Sequence, residues 1–324
     1  MNVTVIVVNW NGKKLLSDCL NGLRHQIYRS FTVILVDNGS NDGSIDFVTN
    51  NYPEVKTIAL PENLGFSSAN NVALKNIQSE YVAFLNNDAV PAPFWLNNLV
   101  DALELRPQAG FAASKMLFQY DPTIIDRAGD SYTTAGAGLL RGRGSPVTNY
   151  NKQEWIFGAC AGSAFFRIEV LRDVGFFDED FFILYEDVDL SFRAQLRGYK
   201  CLYVPEAVVY HKASSSIVYD SPISVYYGHR NLEWVYIKNM PSQLILKTFW
   251  LHILYNIAAF FFFVAHGRMK EFTMAKRDAL KGLKTILNKR RQIQRNRKVN
   301  NAYIWDLLDK ELFFPRLARR LGKQ

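Results

Sequence analysis

Three short stretches carry side chains whose types and spacing could do chemistry. In "FLNNDAVPAP", an apolar run ends at Leu85 and is followed by Asn86, Asn87 and Asp88, with Pro91 and Pro93 just beyond. Proline cannot continue in mid-sheet, so the two amides and the carboxylate are expected at the C-terminal end of a buried strand, where α/β sheets gather ligands. The same residues also suit an ordinary strand-to-loop turn. In "YEDVDLSFR", Glu186 and Asp187 crowd the start of a helical pattern. Acidic groups there complement the helix dipole, and a carboxylate at the mouth of a crevice can equally take a proton from an incoming hydroxyl. His211 closes the β-like run "KCLYVPEAVVYH". A histidine beside a strand is commonly structural, but near a carboxylate and a phosphate it is a competent ligand for Mn²⁺ or a similar metal.

The elements that would position these groups follow from hydropathic period. "VTVIVVNW" reads as a strand, since it has neither the basic region nor the cleavage site of a signal peptide. "GKKLLSDCLNGLRHQ" places Leu15, Leu16, Cys19, Leu20 and Leu23 on one helical stripe. "FTVILVDNGS" is a second strand, and "GSIDFVTNNY" a helix with Ser44 or Asp42 as N-cap. "VKTIALPEN" and "YVAFLNND" are further strands, separated by a helix through "SSANNVALKNI". Such alternation predicts an α/β, mostly parallel, doubly wound sheet. Four polar sets then fall at strand ends: Asn9-Trp10-Asn11-Gly12, Asp37-Asn38-Gly39-Ser40, Asn63-Leu64-Gly65-Phe66 and Asn86-Asn87-Asp88. One set is turn chemistry; four on consecutive parallel strands converge on one crevice. Neither GxGxxG nor GxxxxGK[ST] follows the first strand, so a phosphate-bearing ligand would need a cation. Past residue 110, the Gly-rich "YTTAGAGLLRGRGSPVTN" reads as a mobile loop region.

The 324 residues, 48% of them hydrophobic, can bury a large core. Cys19, Cys160 and Cys201 match no CxxC or zinc spacing and are expected as free thiols in a reducing compartment. From Gly267 onward, 17 Lys/Arg stand against 5 Asp/Glu, whereas the whole chain is only +8, so an acidic body carries a basic tail. Just before it, "TFWLHILYNIAAFFFFVA" (Thr248 to Ala265) is 18 residues without a charge, at the threshold for a membrane span. Thr248, His252 and Asn256 form a polar stripe within it, and a single span would carry the basic tail across the membrane against the positive-inside rule. An interfacial or re-entrant helix is therefore expected. "AKRDALKGLKTILNKRRQIQRNRKV" continues as a basic amphipathic helix with Ala279, Leu280, Leu283, Ile286, Leu287 and Ile293 on one face, suited to an anionic membrane surface. No nucleic-acid-binding fold accompanies it, so no nucleic-acid partner is expected.

With these pieces placed, "VIVVNWNG", "VDNGSNDGS", "NLGFSSANN", "FLNNDAVP", "GACAGSAFFR", "GFFDEDFFILYEDVDLSFRAQLRGYK" and "YVPEAVVYH" together resemble the family 2 inverting glycosyltransferases of the GT-A fold. The resemblance is to the branch that includes many bacterial rhamnosyltransferases, and it spans roughly residues 1–235. It implies a Rossmann-like catalytic domain over 1–240, with a nucleotide-sugar half at about 1–110 and an acceptor half at about 111–240. A helical, membrane-associating region at 241–324 would follow. Asn9 and Asp37 would bind the nucleoside, Asn63 and Gly65 would border the nucleotide, and Asn86 and Asn87 would complete the donor site. Asp88 matches the last carboxylate of the family's DxD metal motif, with His211 as a further ligand to Mn²⁺ or Mg²⁺. Asp187 matches the catalytic base, and Glu186 becomes a supporting acceptor-side carboxylate. The first DxD carboxylate is here the amide Asn86, which can still bond a ribose hydroxyl or a metal-bound water.

The resemblance implies a donor such as deoxythymidine-diphosphate (dTDP) rhamnose, or a uridine-diphosphate hexose, and a lipid-linked or cell-envelope glycan acceptor. The enzyme would then work at the cytoplasmic face of the membrane. A sugar-nucleotide nucleotidyltransferase would instead want a Gly-rich, Arg-bearing loop after the first strand, for which "NWNGKK" is a poor substitute. Against a non-catalytic sugar-nucleotide-binding relative stand the intact Asp88, Asp187 and His211.

Overall fold

The computed structural model describes residues 1–213 and 221–310. Residues 311–324, the end of the basic tail, lie outside the described residues. The first half alternates as the hydropathic periods predict: β1 (Val3–Asn9), α1 (Lys13–Arg24), β2 (Phe31–Asp37), α2 (Ser44–Asn51), β3 (Lys56–Ala59), α3 (Gly65–Leu74) and β4 (Tyr81–Asn86). There follow β5 (Ala89–Pro91), α4 (Trp95–Glu104), β6 (Ala109–Phe118), β7 (Ile125–Arg127), β8 (Asp130–Tyr132), β9 (Gly138–Leu140) and β10 (Glu154–Ile156). The catalytic half closes with β11 (Ser163–Arg167), α5 (Ile168–Val174), α6 (Glu186–Leu196) and β12 (Lys200–His211). Five further helices come last: α7 (Pro222–Asn239), α8 (Ser242–Ala265), α9 (Met269–Lys281), α10 (Leu283–Arg295) and α11 (Asn301–Leu307).

The strands order as β10-β12-β6-β11-β4-β1-β2-β3, with β5 added to β12 and β7 to β6. β1, β2, β3 and β4 run parallel, whereas β11 enters antiparallel between β4 and β6. Both faces of the sheet are covered, which is why β1 reads as a continuous apolar run. Val3, Val5 and Val7 pack on one face with Leu16, Cys19, Leu20 and Leu23 of α1, and Ile6 packs on the other. Each such leucine, fully buried, contributes about 1.5–3 kcal/mol. The first turn of α1 has no side-chain cap of its own; Asp42, from the next crossover, accepts from Lys13 N at 2.9 Å instead. Asp42 also accepts from Ser44 N at 3.1 Å, so of the two N-cap candidates for α2 it is Asp42 that satisfies the first turn.

The Gly-rich stretch expected as a mobile loop holds the β8–β9 hairpin, with Tyr132 and Ala137 buried. Its glycines serve turns at positive φ, among them Gly136 and Gly142. The single basic helix expected after residue 274 is two helices that meet at Gly282, where a Cβ would lie 2.6 Å from the Trp234 ring. Ala279 and Ile286 join a third core cluster with Trp234, Val235, Met240, Leu244 and Ile304. In α8, Thr248 and His252 point into the protein while Leu246, Phe249, Trp250, Leu254 and Phe261 stand exposed. The helix is long and apolar enough to cross a membrane by length and composition, with only 22% of its apolar window buried.

Candidate active site

Parallel register brings the polar strand ends together. Asn9 pairs with Asp37 across β1 and β2, and Val8 with Asn86 across β1 and β4. The Asn9 amide is wholly buried: its Nδ2 donates to Asp37 Oδ2 at 2.9 Å, and its Oδ1 accepts from Asn87 Nδ2 at 2.8 Å. Asn9 thus acts as a spacer that fixes the Asp37 carboxylate, whose other oxygen accepts from Ser40 N at 2.9 Å. Gly12 closes over this pair, because a Cβ there would lie 2.3 Å from Asn87 Nδ2. Asn38, not singled out from the sequence, joins the second and third polar sets. Its Nδ2 donates to Asn63 Oδ1 at 2.9 Å, and its Oδ1 accepts from Leu64 N at 2.9 Å. Gly65 has φ +84°, and a Cβ there would meet the Phe182 carbonyl at 2.6 Å, so both conformation and space require glycine.

Asp88 and His211 meet because β5 pairs antiparallel with the end of β12, His211 opposite Ala89. His211 Nδ1 lies 2.8 Å from Asp126 Oδ2, and Nε2 lies 3.1 Å from Asp88 Oδ1. Burial lowers the affinity of the imidazole for a proton, but the Asp126 and Asp88 carboxylates outweigh it and raise its pKa to about 9. Arg143 bonds Asp126 at 2.5 Å, and burial, which would raise the Asp126 pKa, is overcome by His211 and Arg143. His211 Nε2 is buried and lacks a well-directed hydrogen-bond partner. The donor set fits a divalent cation that displaces the Nε2 proton, since the carboxylates that hold that proton would hold the metal equally. Asp126 fixes the ring through Nδ1, as outer carboxylates commonly do for metal-bound histidine, while Nε2 and Asp88 face the same point. Among the described residues no group of three or more His, Cys, Asp or Glu is placed to hold a metal, so the remaining ligands would be diphosphate oxygens and water.

Glu186 and Asp187 open α6 after an unusual run of backbone: Phe182, Leu184 and Tyr185 all have φ between +62° and +69°. Each such non-glycine residue costs on the order of 1–3 kcal/mol unless its surroundings hold it. Asn231 of α7, fully buried, supplies the hold. Its Nδ2 points at the carbonyls of Phe181, Ile183 and Leu184 at 2.9, 2.9 and 2.7 Å. Arg230 adds bonds to the carbonyls of Asp180 and Phe181 at 2.7 and 3.1 Å. Asp187 Oδ2 accepts from Ala161 N at 3.2 Å and lies 3.8 Å from Arg127, which also pairs with Asp130 at 3.3 Å.

The two neighbouring acids have different environments. Glu186 is buried with Oε2 unpartnered, and burial, then the Asp187 charge, pushes its pKa well up. Burial likewise pushes Asp130 up to about 7 against the pull of Arg127. Asp187 instead has amide and guanidinium partners and some solvent contact. Ala161 touches Asp187, and the adjacent Gly162 borders Asn86, where a Cβ would lie 3.1 Å from Asn86 Nδ2. Two residues of chain therefore separate the Asp187 carboxylate from the polar strand ends. Arg127, Asp126 and Asn231 carried no signal in the sequence, since each acts through a partner distant along the chain.

A mostly parallel sheet with polar strand ends on one edge, a carboxylate–imidazole pair and an acidic helix start across it define a GT-A-type glycosyltransferase. The family model "Glycosyl transferase family 2" matches residues 4–175, and the chain belongs to that family. It is similar to the N-acetylglucosaminyl-diphospho-decaprenol L-rhamnosyltransferase of Mycobacterium tuberculosis. The two are 27% identical over 271 residues, covering 74% of this chain and 84% of the relative. Among solved structures it resembles S. aureus TarS 1-349 in complex with UDP-GlcNAc, with TM-score 0.59, 19% identity and 91% of each chain covered. It also resembles the mannosyltransferase PcManGT from Pyrobaculum calidifontis in complex with GDP-Man and Mn²⁺. That match has TM-score 0.57 and 19% identity, and covers 100% of this chain and 88% of the other.

Proposed function

We propose that the protein is an inverting, metal-dependent glycosyltransferase that moves a sugar, rhamnose from dTDP-rhamnose, to a hydroxyl of a lipid-linked cell-envelope glycan. The observation that carries the reading is the Asp187 carboxylate, held by the Ala161 amide beside a buried Glu186 and set across Ala161–Gly162 from the Asn86 end of the polar cluster. The nucleoside lies against Asp37, Asn63 and Gly65, with Asn9 fixing Asp37 from behind and Asn86 and Asn87 toward the ribose and diphosphate. Asp88 and His211 would hold a divalent cation, which would offset charge developing on the diphosphate leaving group. Asp187 takes the proton of the acceptor hydroxyl as that oxygen attacks the anomeric carbon. The new bond forms on the face opposite the breaking C–O(phosphate) bond, so the anomeric centre inverts without a covalent enzyme intermediate. Arg127, 3.8 Å from Asp187, helps hold its carboxylate in place, and Glu186 offers a hydrogen-bonding group to the acceptor sugar. The M. tuberculosis relative supports rhamnose and a diphospho-lipid acceptor, and the Mn²⁺ complex of PcManGT supports the cation.

A position on the cytoplasmic face of the membrane is supported by α8, whose polar stripe turns inward and whose apolar side turns out. A panel of dTDP-rhamnose, UDP-N-acetylglucosamine and GDP-mannose, each with and without Mn²⁺ or Mg²⁺, tests the reading by thermal stabilisation. A donor at 100 times its Kd stabilises by about 2.7 kcal/mol. The expected result is stabilisation by dTDP-rhamnose that requires the cation. Stabilisation by none of the three, with or without metal, would overturn the proposal.

A further inference from the structure

A groove of about 590 Å³ runs between α8, α9 and the second half of α7. That volume lies within the ordinary range for a single bound small molecule, about 300–1,000 Å³. Its walls are apolar, formed by Phe260, Leu283 and Ile237, and its rim by Ile253, Ile257 and Leu280, which are all exposed. The charged side chains at its floor satisfy one another, while the Asn256 Oδ1 beside them has no hydrogen-bond partner. Glu233 accepts from Lys276 at 2.6 Å and lies 2.9 Å from His252 Nε2, while His252 Nδ1 bonds the Ala135 carbonyl at 2.7 Å. A polar ligand would find these charges already paired; an apolar chain would find walls that match it.

Two observations identify the chain that fits. The rim is continuous with the exposed apolar side of α8, and α9–α10 beside it present Arg277, Lys281 and Lys284 to solvent, complementary to an anionic headgroup. The floor is also tied to the catalytic carboxylates. Ala135 lies in the turn that joins β8 to β9, where a Cβ on Gly136 would lie 2.6 Å from Tyr236 and 2.8 Å from His252. At the end of that turn Gly138 N donates to the Tyr185 hydroxyl at 3.2 Å, and Tyr185 directly precedes Glu186 and Asp187. We propose that this groove seats the hydrocarbon chain of the lipid-linked acceptor, so that the chain rests between α8 and α9, against the floor that contacts the β8–β9 turn, with its anionic head toward Arg277, Lys281 and Lys284. The proposal rests on the lipid-linked reading of the acceptor.

Farnesyl phosphate, a soluble isoprenoid phosphate, is the probe, titrated into the full-length protein by calorimetry. Ile257→Trp fills the groove and keeps it apolar; Trp250→Ser alters the exposed side of α8 outside it. Expected is saturable binding that Ile257→Trp weakens tenfold or more with unchanged flotation on anionic vesicles, and that Trp250→Ser leaves unchanged. A benzophenone-bearing farnesyl phosphate, which needs no variant, should crosslink to peptides within 252–261 and 276–283. Equal binding by wild type and Ile257→Trp, or crosslinks confined elsewhere, would overturn the proposal. So would equal displacement by dihexanoyl phosphatidylglycerol, which would mark a site for bilayer lipid, or a dimer broken by Ile257→Trp, which would mark a second copy. Nucleotide-sugar binding measured on the same samples separates failure of this groove from failure of the transferase reading.

Discussion

Asp187 and Glu186 are adjacent in sequence, yet only one is placed to act as a base. Asp187 is held by the Ala161 amide and Arg127, whereas Glu186 is buried and its pKa pushed well up by that burial. Asp187→Asn is expected to lower turnover by about 10²–10⁴, the usual worth of a positioned general base. Donor affinity should stay within twofold, because the carboxylate faces the acceptor. Rate and donor-binding measurements on one preparation check this, and near-normal turnover would remove Asp187 from the role. At this scale the sequence was informative wherever a side chain sits at a strand end or helix start. Asn9, Asp37, Asn87, Asp88, Glu186, Asp187 and His211 lie where the strand and helix pattern placed them, whereas β3 stops at Ala59, so Asn63 falls in the loop beyond it and Gly65 opens α3 instead of ending a strand. Asp126 and Arg127 were not legible, since "TIIDRAGD" has no period and no turn motif beyond its glycine. Their roles exist only because β7 lies against β6 and carries them toward His211 and Asp187.

The element that sets the base is the strained connection from Phe181 to Tyr185, and α7 holds it through one amide. Asn231→Asp preserves volume and shape but puts an accepting oxygen in place of the donating Nδ2, leaving three carbonyls facing a carboxylate. Loss of buried hydrogen bonds of this kind costs on the order of 1–3 kcal/mol each when the partner stays buried. The substitution is expected to lower kcat at least tenfold while leaving donor Kd unchanged, with Asn231→Gln partly restoring the rate. An unchanged kcat would show that the connection holds its shape without Asn231. Helix periodicity could not reveal this, because Asn231 simply reads as one polar residue within "YYGHRNLEWVY". The same limit explains α9 and α10. Their apolar stripe was visible, but the break at Gly282 depends on the Trp234 ring packed where a Cβ would go.

At the scale of the whole molecule, the helices after β12 are fastened to the catalytic body by buried polar groups as well as by packing. His229 sits among Tyr255, Phe263 and Phe272 with Nδ1 unpartnered. Burial, then the Lys276 charge, lowers its pKa to about 3, with Glu233 opposing. An unfolded chain would bind a proton there near pH 6.5 while the folded chain would not, so this group's stabilisation is complete above about 6.5 and declines as pH falls toward 3. Relative to His229→Phe, the wild type should lose about 1.4 kcal/mol per pH unit between pH 6 and 4, read from denaturant unfolding. Parallel pH profiles would contradict a buried neutral His229.

Lys238 is buried against Asp178 and Asp189 at 2.5 and 2.7 Å, and Lys289 of α10 also reaches Asp178 at 2.5 Å. Truncation at Ser242 keeps Lys238 but removes Lys289 and bares the core of Trp234, Val235 and Met240 that Leu244, Ala279, Ile286 and Ile304 cover, so it is expected to give an aggregating chain and cannot by itself test membrane association. Surface replacement can. Phe249, Trp250 and Leu254 are all about half exposed, and Phe249→Ser, Trp250→Ser and Leu254→Ser together should change stability little. The triple variant should nevertheless lose flotation with anionic and neutral vesicles alike if, as proposed, the apolar side of α8 enters the bilayer surface. Wild type should float best with anionic vesicles and lose only part of that binding in 1 M salt. The screening length then falls to about 3 Å, which silences the lysines and arginines of α9 and α10 but leaves apolar burial intact. A triple variant that floats like wild type, at unchanged melting temperature, would show that the outward apolar side of α8 serves something other than lipid.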